Sequence, residues 1–146
     1  MLGNVGDQDR PPFHLAFPCT DLDAAVAFYE GLGCEVGRRN DHAAILDFFG
    51  HQIVAHRVAD LEPQRGIYPR HFGVMVAPDV LDAIEADLRQ LAPDRTVRAH
   101  RFAGQPTEHD SLQSRDPSGN VLEFKSYRSM EAAYAPSEAR IGDLDG

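Results

Sequence analysis

The chain has 146 residues, 42% hydrophobic and 25% charged, an ordinary balance for one globular domain that buries a core without disulfides or a structural metal. A formal net charge of −9 with scattered Arg and Lys excludes a general nucleic-acid surface, which needs a basic face. Two cysteines without a C-x-x-C pair exclude a disulfide framework, and no signal-like N-terminus or membrane-length apolar run is present, so free thiols, a cytoplasmic location and no membrane partner are expected.

In chain order, residues 1–12 read as a polar leader ending in prolines. Phe13–Phe17 (FHLAF) suits a strand that Pro18 ends. Thr20 is the expected helix N-cap, with Asp21 and Asp23 in the first turn, where carboxylates favour the helix dipole. Leu22, Ala25, Val26 and Tyr29 fall at helical spacing, and Gly31 and Gly33 stop the helix. Strands are expected at Cys34–Gly37, Ala43–Phe49 and Gln52–Val58, with His51 a turn residue. Residues 59–69 form a linker.

The pattern then restarts. His71–Val76 (HFGVMV) is a strand, Pro78 ends it, and Asp79 caps a helix whose face is Leu81, Ile84, Leu88 and Leu91. Pro93–Asp94 breaks that helix. Strands follow at Arg95–Phe102, Ser111–Arg115 and Val121–Tyr127, the last two joined by the turn signal Asp116-Pro117-Ser118-Gly119-Asn120. Residues 128–146 are a polar tail. The chain is therefore an α+β fold of two repeats, each a strand, a helix and three strands: module one at 13–58, module two at 70–127.

Side chains alternate across a strand, so parity sorts them by face. Phe13, Leu15 and Phe17 form one bulky face, and His14 and Ala16 the other. Phe72, Val74 and Val76 oppose His71, Gly73 and Met75. Leu122 and Phe124 oppose Val121, Glu123 and Lys125. Each of these three strands turns one metal-competent residue, His14, His71 or Glu123, away from its bulky face. Two imidazoles and a carboxylate can hold a divalent transition metal and leave positions open for substrate or water.

The segments HLAFPCTDLDAAVAFYEGLGCEV, HFGVMV and DPSGNVLEFKSY resemble the vicinal oxygen chelate superfamily over residues 13–127. That group holds glyoxalase I, extradiol dioxygenases, fosfomycin-resistance proteins and bleomycin-binding proteins. The resemblance implies two βαβββ modules forming a cup-shaped mixed sheet, a homodimer, and a small-molecule substrate. It also implies metal ligation by His14, His71 and Glu123, the positions reached by parity. Fe²⁺ suits two His and a carboxylate, with Mn²⁺, Zn²⁺ and Ni²⁺ as alternatives.

A fourth ligand of the glyoxalase I type aligns with His56, which shares a face with Gln52 and Val54. His56 is thus a fourth ligand, a donor behind the ligands, a substrate acid/base, or an ordinary strand residue. Gln113 is a candidate substrate contact, Lys125 a rim residue, and Tyr68 and Arg70 candidate gates. His100 and His109 are expected to be exposed. The implied function is a metal-dependent enzyme on a small vicinally oxygenated substrate, leaning toward a dioxygenase. A glyoxalase I-like lyase or isomerase and a drug-binding resistance protein are the alternatives.

Overall fold

The computed structural model describes residues 10–136. They form two compact units: one runs to Tyr68 and includes Arg115–Asn120, and the other holds Pro69–Ser114 and continues from Val121. The expected leader and tail lie largely outside the described residues.

The first unit carries β1 (His14–Cys19), α1 (Leu22–Gly31), β2 (Glu35–Arg39), β3 (Ala43–Phe48) and β4 (His51–Arg57). Its sheet has the order β1-β4-β3-β2, with β1 parallel to β4 and the other pairs antiparallel. Phe17, Cys19, Leu46, Phe48, Ile53 and Ala55 are buried together with Leu22, Ala25, Val26 and Tyr29 of α1, so the helix covers this sheet face. Alternation along β1 holds from Leu15 to Cys19, but Phe13 is 61% exposed rather than part of the core.

Three local expectations fail for identifiable reasons. The strand β1 continues through Pro18. Gln52 N–H donates to Phe13 O (2.9 Å) and Val58 N–H to Cys19 O (2.8 Å), which aims the odd-numbered peptide groups at β4. The proline therefore sits where no ladder N–H is lost. Its carbonyl accepts instead from Asn120 Nδ2 at 2.8 Å. The cap of α1 is Asp21, whose Oδ1 accepts from Ala24 N–H at 3.0 Å; Thr20 N–H donates to Ser118 Oγ. His51 opens β4 rather than occupying the turn, and its Nδ1 accepts from Phe13 N–H at 3.0 Å.

The second unit repeats this frame with α2 (Pro78–Leu91), a 3-10 turn (Pro93–Arg95), β5 (Val97–Arg101), β6 (His109–Arg115) and β7 (Val121–Tyr127), followed by the short α3 (Met130–Tyr134). Strands β5, β6 and β7 are neighbours in that order. Segment 71–76 is not a regular strand but bridges β7 in parallel at Phe72↔Leu122 and Met75↔Lys125, as β1 bridges β4. The helix starts at Pro78 after cap residue Ala77, so Asp79 lies in the first turn and not at the cap; proline suits that first position because its missing N–H has no helical acceptor there. Leu81, Ile84 and Leu88 are buried as expected.

The 116–120 turn belongs with the first unit, although its strands belong to the second. Asp116 is fully buried. Its Oδ1 accepts from the N–H groups of Ser118 and Asn120, both at 2.9 Å. Its Oδ2 accepts from Asn120 Nδ2 at 2.8 Å and Tyr29 O–H at 2.9 Å. A buried carboxylate is tolerated because its acceptor sites are filled. The turn motif is thus a structural clasp on α1. Among the described residues no helix is long and apolar enough to cross a membrane.

Candidate functional site

On the second unit, β6 and β7 turn alternate residues away from α2. Ser111 and Gln113 of β6 share this face with Glu123 and Lys125 of β7. Glu123 Oε2 accepts from Ser111 Oγ (3.1 Å) and Gln113 Nε2 (3.2 Å). That leaves Oε1 facing His71 Nε2 at 3.6 Å and Lys125 Nζ at 3.3 Å. The Glu123 side chain is 8% exposed and that of His71 27%, so the carboxylate is held in and the imidazole reaches outward. Gln113, expected to meet substrate, here orients the carboxylate, and sequence reasoning gave Ser111 no role.

Gly73 explains how segment 71–76 comes so close to β7. A Cβ on Gly73 would lie 1.8 Å from Glu123 O and 2.6 Å from Glu123 C. Only the absence of a side chain lets this backbone lie against Glu123.

On the first unit, His14 Nδ1–H donates to Gln52 Oε1 at 2.7 Å. The amide oxygen can only accept, so the Nδ1–H tautomer is selected and the lone pair is left on Nε2. An outer donor–acceptor pair of this kind fixes the ring of a metal-ligating histidine. Register places Gln52 beside His14 and His56 beside Pro18. The side chains of His14, Gln52, Val54 and His56 therefore share a face, and His56 is exposed.

Comparing the two repeats locates the fourth position. His14 pairs with Gln52 in register, and His71 falls opposite Val121 by extension of Phe72↔Leu122. Glu123, two residues beyond Val121, therefore corresponds to Val54, two residues beyond Gln52. His56 corresponds to Lys125, one further step along the same face. The repeat thus puts a buried valine, and no donor, at the counterpart of Glu123.

His71 and Glu123 are donor types that a divalent metal accepts. Two atoms each about 2.1 Å from one ion stand about 3.0–3.4 Å apart, close to the His71–Glu123 separation. Among the described residues no three His, Cys, Asp or Glu side chains form a preformed cluster. The second unit brings together His71, Glu123, Gln113, Ser111 and Lys125, while His14 and His56 stand on the first.

The two remaining histidines of module two differ. His100 is exposed as expected, and its ring nitrogens meet Asp110 (2.6 Å) and Glu108 (2.8 Å), which raise its pKa. His109, expected to be exposed, is only 7% exposed. It stacks on Tyr127 at 4.5 Å between centroids and packs at 5.8 Å against Phe102. The signal was available: extending β6 by two residues puts His109 in phase with Ser111 and Gln113.

A family model described as the Glyoxalase/Bleomycin resistance protein/Dioxygenase superfamily matches residues 12–124. A glyoxalase/bleomycin resistance protein/dioxygenase from Alicyclobacillus acidocaldarius, a crystal structure, is 36% identical, covering 90% of this chain and 99% of that one with a TM-score of 0.77. Two more distant crystal structures share the fold. Lactoylglutathione lyase from Agrobacterium tumefaciens is 22% identical over 80% of this chain and 96% of that one, TM-score 0.57. A genomically encoded fosfomycin resistance protein from Listeria monocytogenes is 14% identical over 84% and 97%, TM-score 0.67. No curated protein sequence matches the chain. With the family model spanning most of its length and a relative of that description more than one-third identical, the chain belongs to the glyoxalase/bleomycin resistance protein/dioxygenase superfamily.

Proposed function

We propose that this protein is a metal-dependent enzyme acting on a small substrate with two neighbouring oxygens, dioxygenase-like in chemistry, with His14, His71 and Glu123 holding Fe²⁺. The observation that carries the reading is the oriented carboxylate: Glu123 has Oε2 tied to Ser111 and Gln113 and Oε1 turned toward His71. When bound, the ion would supply Lewis acidity toward substrate oxygens.

The chain's own residues would do the rest. Gln52 holds His14 in the tautomer that donates through Nε2. Ser111 and Gln113 stop Glu123 from turning. Lys125 offsets the charge of Glu123 at 3.3 Å, and it is a cation suited to an anionic substrate oxygen. Valine at the repeat counterpart of Glu123 favours a three-ligand site with open positions, which suits oxygen chemistry better than a four-ligand isomerase site.

A lyase or isomerase reading keeps one supporting observation, the exposed His56 on the same sheet face as His14. A homodimer and a cytoplasmic location belong to the same proposal; they rest on the family and on two cysteines outside any disulfide.

Metal analysis of protein purified without chelators, beside His14→Ala and Glu123→Ala, tests the site. Unchanged metal content in both variants would sink the assignment. Oxygen uptake with catechols under Fe²⁺ separates the readings: uptake supports the dioxygenase, and lactoylglutathione formation without uptake supports the lyase.

A further inference from the structure

We propose that His100 is a pH-sensitive latch that holds loop 102–108 closed against the sheet of the second unit. The inference goes beyond the metal-dependent reading above and does not rest on it.

The geometry requires a charged ring. His100 of β5 lies opposite Asp110 of β6. It is in phase with Arg98, whose guanidinium meets Asp82 and Glu85 of α2, so both side chains stand on the helix side of the sheet. His100 Nδ1 is 2.6 Å from Asp110 Oδ1, and Nε2 is 2.8 Å from Glu108 Oε1. A carboxylate can only accept, and a neutral imidazole has one N–H, so only the imidazolium donates to both. Glu108 is the last residue of the loop. Its N–H donates to Gln105 O (3.1 Å), Gln105 N–H donates to Phe102 O (3.0 Å), and the Glu108 carboxylate accepts from Gly104 N–H. The Glu108 side chain thus ties the middle of the loop to β5.

The closed loop carries costs that the latch must offset. Phe102 has φ of 55°, a left-handed backbone that a bulky residue rarely adopts. Thr107 Oγ1 is buried with no hydrogen-bond partner among the described residues. Closure in turn places the Phe102 ring 5.8 Å from that of His109 and sets the Thr107 carbonyl to accept from His109 Nδ1–H at 2.7 Å. Release of the loop would therefore loosen the end of β6 that leads to Ser111.

The surrounding charges fix the direction of the switch. Asp110 and Glu108 face His100 directly. Arg98 holds the second oxygen of Asp110 at 3.0 Å, and Arg128, just beyond β7, acts on Glu108. His100 is the largest influence lowering both carboxylates below their usual range, helped by Arg98 at Asp110 and by Gly104 N–H at Glu108, so both stay charged as pH rises. Asp110 first and Glu108 second raise His100 above the ordinary imidazole value. A group raised on closure stabilises the closed form at low pH, and that contribution is lost as pH rises through the raised value. The contact that yields is the one to Glu108, because Asp110 is fixed by the ladder and by Arg98.

The test is solvent exchange of the Gln105 and Glu108 amides, followed by NMR on the full chain without added metal, beside titration of the His100 ring. Protection is taken relative to the intrinsic exchange rate at each pH. It is expected to fall as His100 loses its proton, about tenfold for each unit by which closure raises the His100 pKa. His100→Arg keeps a permanent charge with donors for both carboxylates, and its protection should stay high at every pH. His100→Gln carries no charge, and its protection should be low at every pH. Parent protection that is flat across the His100 titration, or that falls equally in His100→Arg, would overturn the latch. Protection in His100→Gln equal to that of the parent at low pH would overturn it too. The parent titration needs no substitution, so a poorly folded variant leaves the test intact.

Discussion

Replacing Gly73 with alanine should damage both the fold and the site, and the size of the effect follows from distances. The new Cβ would sit 1.8 Å from Glu123 O, whereas ordinary contact begins near 3.4 Å. A retreat of about 1.6 Å is therefore required, and the obstacle is backbone that cannot rotate away. The nearest bonds holding segment 71–76 to β7 are Glu123 N–H to Phe72 O (2.9 Å) and Lys125 N–H to Val74 O (3.2 Å). Overpacking costs roughly 1–3 kcal/mol. Losing both bonds adds about 1 kcal/mol each. A destabilisation of about 3–5 kcal/mol is expected, a large share of the 5–15 kcal/mol typical of a domain. The same retreat separates His71 from Glu123, so Fe²⁺ affinity should fall at least about tenfold.

Denaturation followed by circular dichroism measures the first effect, and competition with a chromogenic chelator the second. Gly66→Ala is the control, because a Cβ there meets nothing within 4 Å. It should stay within about 1 kcal/mol of the parent. A Gly73→Ala protein that matched the control in stability and the parent in metal affinity would refute the close approach of segment 71–76 to β7.

Ser111→Ala and Gln113→Ala should each weaken metal binding about 10–100-fold while leaving the fold intact, as read by chelator competition and circular dichroism; unchanged affinity in both would mean that Oε2 of Glu123 is not held by them. Tyr29→Phe removes one donor from the buried Asp116 carboxylate and should cost about 1.5–3 kcal/mol by chemical denaturation, with no effect on metal content. Stability should also fall in alkali. Burial raises the Cys34 thiol from 9.0 to about 12, so the unfolded chain ionises first and stability declines as pH rises from about 9 toward 12. Cys34→Ala should flatten that slope in denaturation midpoints measured from pH 7 to 11, and an unchanged slope would mean that the thiol does not contribute.

Strand alternation was readable because it is local. The parities of Glu123, His71 and His14 follow from two-residue periodicity alone, and burial in the structure agrees with them. What was misread depended on partners remote in sequence. Pro18 ends a strand by the usual rule, but β4 leaves its missing N–H without consequence. Thr20 and Asp21 are both good caps, and Ser118, near the far end of the chain, takes Thr20. Asp116 reads correctly as a turn residue, yet its clasp on α1 needs Tyr29, 87 residues earlier. His109 looked like a loop-end residue because its burial depends on Phe102 and Tyr127.

The repeat duplicates the frame without duplicating the chemistry, and that asymmetry bears on mechanism. Where module two has Val121, Glu123 and Lys125 on β7, module one has Gln52, Val54 and His56 on β4. The glutamine buttresses a histidine, which Val121 cannot do. The valine pairs in register with Ala16 on one side and Ile45 on the other, while Gln52 and His56 flank it along its own strand. Module one therefore offers one oriented nitrogen, Nε2 of His14, whereas module two offers a carboxylate with Ser111, Gln113 and Lys125 around it. The carboxylate chemistry of the repeated frame is thus carried by module two alone, and a carboxylate introduced at Val54 would test whether module one can be given it.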